Sequence, residues 1–123
     1  MSLMVYILPK NNTLDISNIE KEIQPQYNFL FGVENWRKSF WGSDKIKDIG
    51  CKLLHTLKDT DIYAFDDDIE VLKNDFNLVL ENITELTNGS DAYREQVEFR
   101  VKNALEVIRV AQIHSDIVGV YIG

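Results

Sequence analysis

Two long helical patterns follow one another in residues 67–111, DDIEVLKNDFNLVLENITELTNGSDAYREQVEFRVKNALEVIRVA. Apolar residues recur there at intervals of three and four, the spacing of one buried helix face. The first pattern comprises Ile69, Leu72, Phe76, Val79, Leu80, Ile83 and Leu86, and the second comprises Val97, Val101, Ala104, Leu105, Ile108 and Ala111. Asn88-Gly89 between them favours a left-handed turn. The short connection predicts an antiparallel hairpin with Phe76 and Leu105 in the core.

Capping patterns place the starts of two helices. Asp67, with Glu70 three residues later, predicts that the first helix of the hairpin begins at residues 66–68. Ser43 precedes another apolar stripe and predicts a helix from Asp44 to Leu57. Together with the hairpin, this makes three main helices.

Four short apolar segments predict the strands of a small sheet. They are Met4–Leu8, Tyr27–Phe31, Asp61–Phe65 and residues 117–123, IVGVYIG. The first and last are apolar on both faces, which is typical of central strands. We expect these two to be neighbours in the middle of a mixed sheet of three to four strands, with helices over at least one face. The predicted class is α+β, with one domain over residues 1–123.

The start of the chain carries no targeting pattern. Its apolar run stops at Pro9, too early for a signal peptide, and no run approaches the ~20 apolar residues of a spanning helix. Because Cys51 is the only cysteine, the chain has no intrachain disulfide. We therefore expect a cytoplasmic protein without membrane contact. Met4 follows Met-Ser-Leu, which suggests that residues 1–3 are a leader added for expression.

The charge balance limits the kinds of partner. Lys and Arg total 13 against 20 Asp and Glu, a formal net charge of -7. That balance opposes nucleic-acid binding, because affinity for a phosphate backbone comes chiefly from Lys and Arg. A basic protein partner is easier to accommodate. Solubility is the plainer explanation for an acidic chain, and both remain open.

Residues 59–68 form an acidic segment that contains five carboxylates: Asp59, Asp61, Asp66, Asp67 and Asp68. A hard cation such as Ca²⁺ would need several of them to converge, and their spacing does not match an EF-hand. Helix capping by Asp67 and a favourable position against the helix dipole explain them more simply. We expect no metal and no cofactor.

No catalytic motif is present among the familiar ones, neither a Walker loop, G-x-S-x-G, G-x-G-x-x-G nor H-E-x-x-H. Cys51 and His55 are four residues apart and could resemble a nucleophile with its base. Cys51 lies beside an apolar stripe, which favours a buried, unreactive thiol. An enzyme is therefore disfavoured, and no catalytic residue is predicted.

The chemically most distinctive segment is residues 31–45, FGVENWRKSFWGSDK, with two Trp, two Phe, one Arg and two Lys. Trp36 and Phe40 share a helix face, while Trp41 falls about 100° away, so at least one ring should be only partly buried. The rings either close the core or, with Arg37, form an aromatic binding site. The sequence leaves both alternatives open.

Residues 31–72, FGVENWRKSFWGSDKIKDIGCKLLHTLKDTDIYAFDDDIEVL, resemble small bacterial proteins, and the overall build is similar to immunity proteins of polymorphic-toxin systems. The resemblance covers about a third of the chain. It implies an acidic cytoplasmic protein whose surface blocks a toxin, and it assigns no binding residues.

Our hypothesis from the sequence is a non-enzymatic, acidic protein-binding module, with an immunity protein against a basic toxin domain as its specific form. Its predicted binding residues are Trp36, Arg37, Trp41, Asp66, Asp67 and Asp68. Two alternatives remain: a small-molecule binder or enzyme with a pocket beside residues 31–45, and a homodimer closed by the aromatic segment.

Overall fold

A computed structural model describes residues 2–123 and shows an α+β fold, as the sequence predicts. Four strands form one sheet, and the long helices pack against it. In chain order the elements are β1 (Ser2–Pro9), α1 (Ser17–Glu20), β2 (Leu30–Val33), a π-helical turn (Arg37–Trp41), α2 (Asp44–Asp48), a 3₁₀ turn (Leu54–Lys58), β3 (Ile62–Ala64), α3 (Asp67–Glu81), α4 (Ile83–Leu86), α5 (Asp91–Ile113) and β4 (Val118–Ile122).

The strand order in the sheet is β2-β1-β4-β3. The first and last strands are central neighbours, as predicted, with Val5 opposite Ile122. All three pairings are antiparallel, whereas we expected a mixed sheet. The connection from β3 to β4 explains the difference. With two antiparallel helices between the strands the chain reverses three times, so β4 runs opposite to β3, whereas a single crossover helix reverses it twice and makes the strands parallel.

The second strand lies further along the chain than the predicted segment Tyr27–Phe31. β2 begins only at Leu30, because Asn28 holds the preceding residues in a turn. The Asn28 side chain accepts the Leu30 N–H at 2.9 Å, and the Asn28 N–H donates to Oδ1 of Asn103 at 3.1 Å. Asn103 is buried on α5, so this turn is tied to the helix layer.

The predicted helix from Asp44 to Leu57 is interrupted. α2 stops at Asp48, and Gly50 follows with a φ of +103°. The buried Asp75 carboxylate on α3 then accepts the N–H groups of Lys52, Leu53 and Leu54 at 2.9, 2.7 and 2.9 Å. These amides therefore start a separate 3₁₀ turn, because a carboxylate from α3 replaces the carbonyls that would continue the helix.

The long helices follow the predicted hairpin. α3 begins at Asp67, inside the predicted start, and packs along α5. The predicted capping pattern itself is absent, because no side chain caps α3: the Asp66 carboxylate binds Lys10 at 2.6 Å and Glu70 accepts from Gln112. The first helical pattern breaks at Asn82, and α4 begins after it at Ile83.

The turn before α5 has the predicted left-handed form. Asn88 and Gly89 have φ angles of +53° and +73°. The Ser90 hydroxyl then caps α5 by accepting the Tyr93 N–H at 3.3 Å.

Buried apolar side chains from both layers form one continuous core. Phe76 is fully buried at its centre, as predicted. Its ring packs edge-on with that of Phe31, and the two ring centroids are 5.7 Å apart. Leu105 is only partly buried and lies at the margin of the core. Its neighbours on the helix turn, Ala104 and Ile108, take the buried face instead.

Replacing Phe76 and Leu105 singly by alanine should separate these two environments. Phe76→Ala should lower the free energy of unfolding by about 3 to 5 kcal/mol, because it leaves a cavity that its neighbours cannot fill. Leu105→Ala should cost about 1 to 2 kcal/mol, because water already reaches part of the side chain. Urea unfolding followed by circular dichroism measures both. Equal losses would contradict the placement of Leu105 at the margin.

Asp75→Ala should be strongly destabilising, by about 3 kcal/mol, because it leaves three N–H groups without their acceptor, the Leu54 N–H in a buried position and the other two partly buried. Asn74→Ala is the control: the exposed residue before Asp75 on the same helix should change the unfolding free energy little. Equilibrium urea unfolding at pH 7 compares the two variants. A near-zero effect of Asp75→Ala would refute the assigned role of this carboxylate.

Candidate functional site

The helices leave one face of the sheet uncovered. Along β1, Leu3, Val5 and Ile7 point into the core, while the residues between them point the other way. We call this outward surface the open sheet face, and its members are Met4, Tyr6, Leu8, Leu30, Val33, Tyr63 and Tyr121. Of the seven large apolar side chains that residues 2–123 expose most, four belong to it: Met4, Leu30, Val33 and Tyr63.

Three tyrosines form a stripe across the open sheet face. Tyr121 lies directly opposite Tyr6 on one side and Tyr63 on the other. The ring centroids are 4.7 Å apart for Tyr6 and Tyr121 and 5.1 Å apart for Tyr63 and Tyr121. These distances are those of favourable aromatic pairs. The stripe therefore presents three mutually supported rings at right angles to the strands.

A polar network fixes the central ring of this stripe. The Tyr121 hydroxyl donates to Oδ2 of Asp61 at 2.6 Å, and Nη2 of Arg37 donates to Oδ1 at 2.9 Å. Arg37 also binds Glu34 and the Leu57 carbonyl. The Tyr121 hydroxyl, and after it the Arg37 guanidinium, hold the pKa of Asp61 below its ordinary value. The same hydrogen bond to Asp61 raises the pKa of Tyr121.

The predicted aromatic residues serve different purposes in the fold. Trp41 is fully buried. Its ring stacks on that of Phe31 with the centroids 4.2 Å apart, and its Nε1–H donates to the Phe31 carbonyl at 3.1 Å. Trp36 is partly buried on the helix side of β2, where the Arg100 guanidinium lies 4.8 Å from its ring. Arg37, with 18% of its side chain exposed, ties this segment to β3 through Asp61. None of the three residues belongs to the open sheet face.

The predicted acidic residues lie elsewhere. Asp66, Asp67 and Asp68 follow β3 and are exposed. Asp66 pairs with Lys10, just beyond the end of β1, whereas Trp36 contacts Gly32, which lies opposite Leu3 near the start of that strand. The structure therefore does not bring the aromatic and acidic residues together.

The five carboxylates of the acidic segment bracket β3 instead. Asp59 and Asp61 precede the strand, and Asp66, Asp67 and Asp68 follow it. Within residues 2–123, no group of three or more His, Cys, Asp or Glu side chains lies close enough to hold a metal ion. The segment thus places negative charge at both ends of an edge strand.

Cys51 and His55 do not form a nucleophile and base. Nδ1 of His55 lies 2.9 Å from the carbonyl oxygen of Cys51, and the Cys51 thiol faces the Asp75 carbonyl at 3.5 Å. Burial, reinforced by the negative charge of Asp75, raises the pKa of the thiol to about 12. Such a thiol is protonated and weakly reactive at neutral pH.

A polar cleft of about 420 Å³ lies at the end of the aromatic segment, between α2 and the 3₁₀ turn. Its ionisable lining residues include Lys47, Lys58, Asp44, Asp59 and His55. Because its two lysines are opposed by two aspartates, the cleft offers no net charge that would select one class of ligand.

The tyrosine stripe was not anticipated from the sequence, although a signal for it exists. Each of the three strands carries a tyrosine between two apolar residues, as Val5-Tyr6-Ile7, Ile62-Tyr63-Ala64 and Val120-Tyr121-Ile122. A tyrosine between two core residues of a strand must point to the opposite face. The sequence alone does not show that these three tyrosines lie side by side.

No protein-family model, curated protein or solved structure matches this chain. None of the helices within residues 2–123 has the length and apolar character needed to span a bilayer.

Tyr121→Phe should weaken the fold at neutral pH and matter less in acid. The pKa of Asp61 is lower in the folded chain than the unfolded value of about 3.9. Its ionised form therefore stabilises the fold above that value, and the stabilisation is lost as the pH falls through the folded pKa. Losing the hydrogen bond should cost about 1 kcal/mol at pH 7, given the partial exposure of Asp61.

Urea unfolding at a series of pH values measures this difference, which should shrink towards pH 2. Tyr6→Phe is the matched control, because Tyr6 lies in the same stripe but outside the Asp61 network. A loss for Tyr121→Phe that does not change with pH would contradict the coupling to Asp61.

Proposed function

We propose that this protein is a protein-binding module and that its partner docks on the open sheet face. The observation that carries the proposal is the tyrosine stripe, flanked by Met4, Leu30 and Val33, on a sheet that helices cover from one side only. Exposed apolar patches of this kind mark interaction sites in soluble proteins. Tyrosine is enriched at such sites because its ring is apolar and its hydroxyl tolerates water.

The charges around this face favour a basic partner. Five carboxylates flank β3; two of them pair with cations, Asp66 with Lys10 and Asp61 with Arg37, and these pairs do not offset the other three, Asp59, Asp67 and Asp68. The chain as a whole carries a net charge of -7. Opposite charge speeds association, and like charge across a contact opposes it. A homodimer closed by this face would bring the same carboxylates together, so the charges favour a basic protein over a second copy.

An immunity protein is the specific form of this function that we propose. The resemblance of the chain to such proteins and its acidic surface both support it, because an acidic protein can cover the basic surface of a toxin domain. The binding surface we propose differs from that of the sequence hypothesis. The tyrosine stripe takes the place of Trp36, Arg37 and Trp41, and Asp66, Asp67 and Asp68 stay as its acidic border.

Capture of the partner from the native cell by the tagged chain tests the function, with two serine variants that differ only in location. Tyr63 belongs to the open sheet face and is 58% exposed, and Ile113 lies at the end of α5 and is 59% exposed. Wild type and Ile113→Ser should capture the same basic protein, and Tyr63→Ser should lose it. Thermal unfolding confirms that both variants fold. Undiminished capture by Tyr63→Ser would overturn the proposal.

The immunity form is tested by co-expression with the product of the gene immediately upstream. If that product arrests growth, co-expression of the wild-type chain or of Ile113→Ser should restore growth, whereas Tyr63→Ser should not. An upstream product without toxicity would count against the immunity form. The capture experiment would still test the more general protein-binding function.

A further inference from the structure

The two edges of the sheet differ in whether their backbone groups are already used. Each edge strand of an antiparallel sheet directs N–H and C=O groups away from its partner, where another chain can pair with them. On β2 these groups are occupied at Leu30, where Asn28 accepts the N–H at 2.9 Å and the Asn103 side chain donates to the carbonyl at 3.0 Å. Trp41 donates to the carbonyl of Phe31. The first half of the β2 edge, at Leu30 and Phe31, is therefore closed by side chains.

The direction of the backbone groups on β3 follows from the ladder between β1 and β4. Met4 and Gly123 exchange two backbone hydrogen bonds, of 2.9 and 3.1 Å. Because such pairs alternate along antiparallel strands, Tyr121 also faces β1, while Val120 and Ile122 face β3. Ile62 is opposite Ile122, so Tyr63 directs its N–H and C=O away from β4.

The β3 edge is therefore open at Tyr63. In the part of the chain that the structure describes, no further strand lies beyond β3. The available stretch is short, because the Phe65 carbonyl already accepts the Asp68 N–H at 3.0 Å. Within β3 itself, Tyr63 is the residue that directs both its donor and its acceptor outward, next to its own exposed ring in the tyrosine stripe. A strand paired here would lie beside that ring.

We propose that the β3 edge binds an extended basic segment of the partner as a fifth strand of the sheet. The inference rests on the proposed protein-binding function and specifies how the partner is held. Asp61 and Asp66 are five residues apart, so a strand between them spans about 17 Å. Because Asp61 and Asp66 already pair with Arg37 and Lys10, the carboxylates that attract the partner are Asp59 before the strand and Asp67 and Asp68 after it. A bound segment should therefore carry Lys or Arg at both ends of a short apolar stretch. The same carboxylates repel the β3 edge of a second copy, which suppresses pairing between identical chains.

The probe is a synthetic peptide in which Lys-Lys flanks each end of an alternating Val-Thr stretch of five residues. Two matched peptides serve as controls: in one every Lys is replaced by Glu, and in the other the central Val is replaced by Pro. Calorimetry measures binding at low salt, and amide hydrogen exchange followed by NMR monitors the Tyr63 N–H. The basic peptide should bind and slow exchange at Tyr63, whereas neither control peptide should bind.

Two substitutions at one position separate the backbone from the ring. Tyr63→Thr keeps the outward N–H and removes the ring, and Tyr63→Pro removes both, a change that edge strands tolerate. Tyr63→Pro should bind the basic peptide about tenfold more weakly than Tyr63→Thr. That is the loss expected when one backbone hydrogen bond is removed and the strand geometry around it is disturbed. Equal affinities would overturn the inference. Unchanged exchange at Tyr63 in wild type saturated with peptide would do the same, whether or not Tyr63→Pro folds.

A charge comparison tests the role of the carboxylates at the two ends of β3. Asp59→Asn combined with Asp68→Asn should weaken peptide binding roughly threefold to tenfold at low salt. Glu81→Gln combined with Glu85→Gln removes the same charge at the end of α3 and in α4, and should leave binding unchanged. Equal effects of the two pairs would contradict a specific role for the carboxylates beside β3.

These outcomes separate the inference from the function on which it rests. If capture fails with Tyr63→Ser but the peptide never protects the Tyr63 N–H, the partner uses the open face alone and the fifth strand is refuted. If the peptide pairs with β3 but capture is undiminished in Tyr63→Ser, the proposed function is refuted and the pairing property remains.

Discussion

One helical hairpin can cover only one face of this sheet, and the rest of the structure depends on that constraint. Four strands spaced about 4.8 Å apart place the outer strand axes about 14 Å from each other. Two helices packed about 10 Å apart are just wide enough to form a single layer over one face of such a sheet. α3 and α5 provide this layer, and the other α-helices in residues 2–123 have at most five residues. The alternation of each strand then places Val5 and Val120 in the core and Tyr6 and Tyr121 on the uncovered side.

Two charged side chains connect the irregular segments to this framework. Asp75 projects from α3 and holds the start of the 3₁₀ turn through three backbone N–H groups. Arg37 extends from the aromatic segment to Asp61, which in turn accepts the Tyr121 hydroxyl. The same aromatic segment therefore closes the core through Trp41 and orients one ring of the open face through Arg37. A change in this segment should affect stability and the proposed binding surface together.

The proposed function follows from the asymmetry of the sheet. Helices cover one face, and the side chains of Asn28, Asn103 and Trp41 occupy the β2 edge at Leu30 and Phe31. The other face and the β3 edge meet at Tyr63, where an aromatic ring and a backbone donor and acceptor are exposed together. Open edges are usually guarded by charge. Here the five carboxylates beside β3 outnumber Lys10 and Arg37, the two cations that pair with them, so they oppose a second copy of the chain while remaining compatible with a basic strand.

The sequence by itself determined the fold class, the helical hairpin and the central pair of strands, because these follow from the local period of apolar residues and from Asn88-Gly89. It also indicated that Cys51 is buried. Tertiary structure alone decided that Asp75 interrupts the helix predicted for residues 44–57 and that Trp41 is core while Trp36 is partly exposed. It alone aligned Tyr6, Tyr63 and Tyr121 in one stripe. Each of these outcomes depends on contacts between residues far apart in the chain, which local patterns of polarity do not encode.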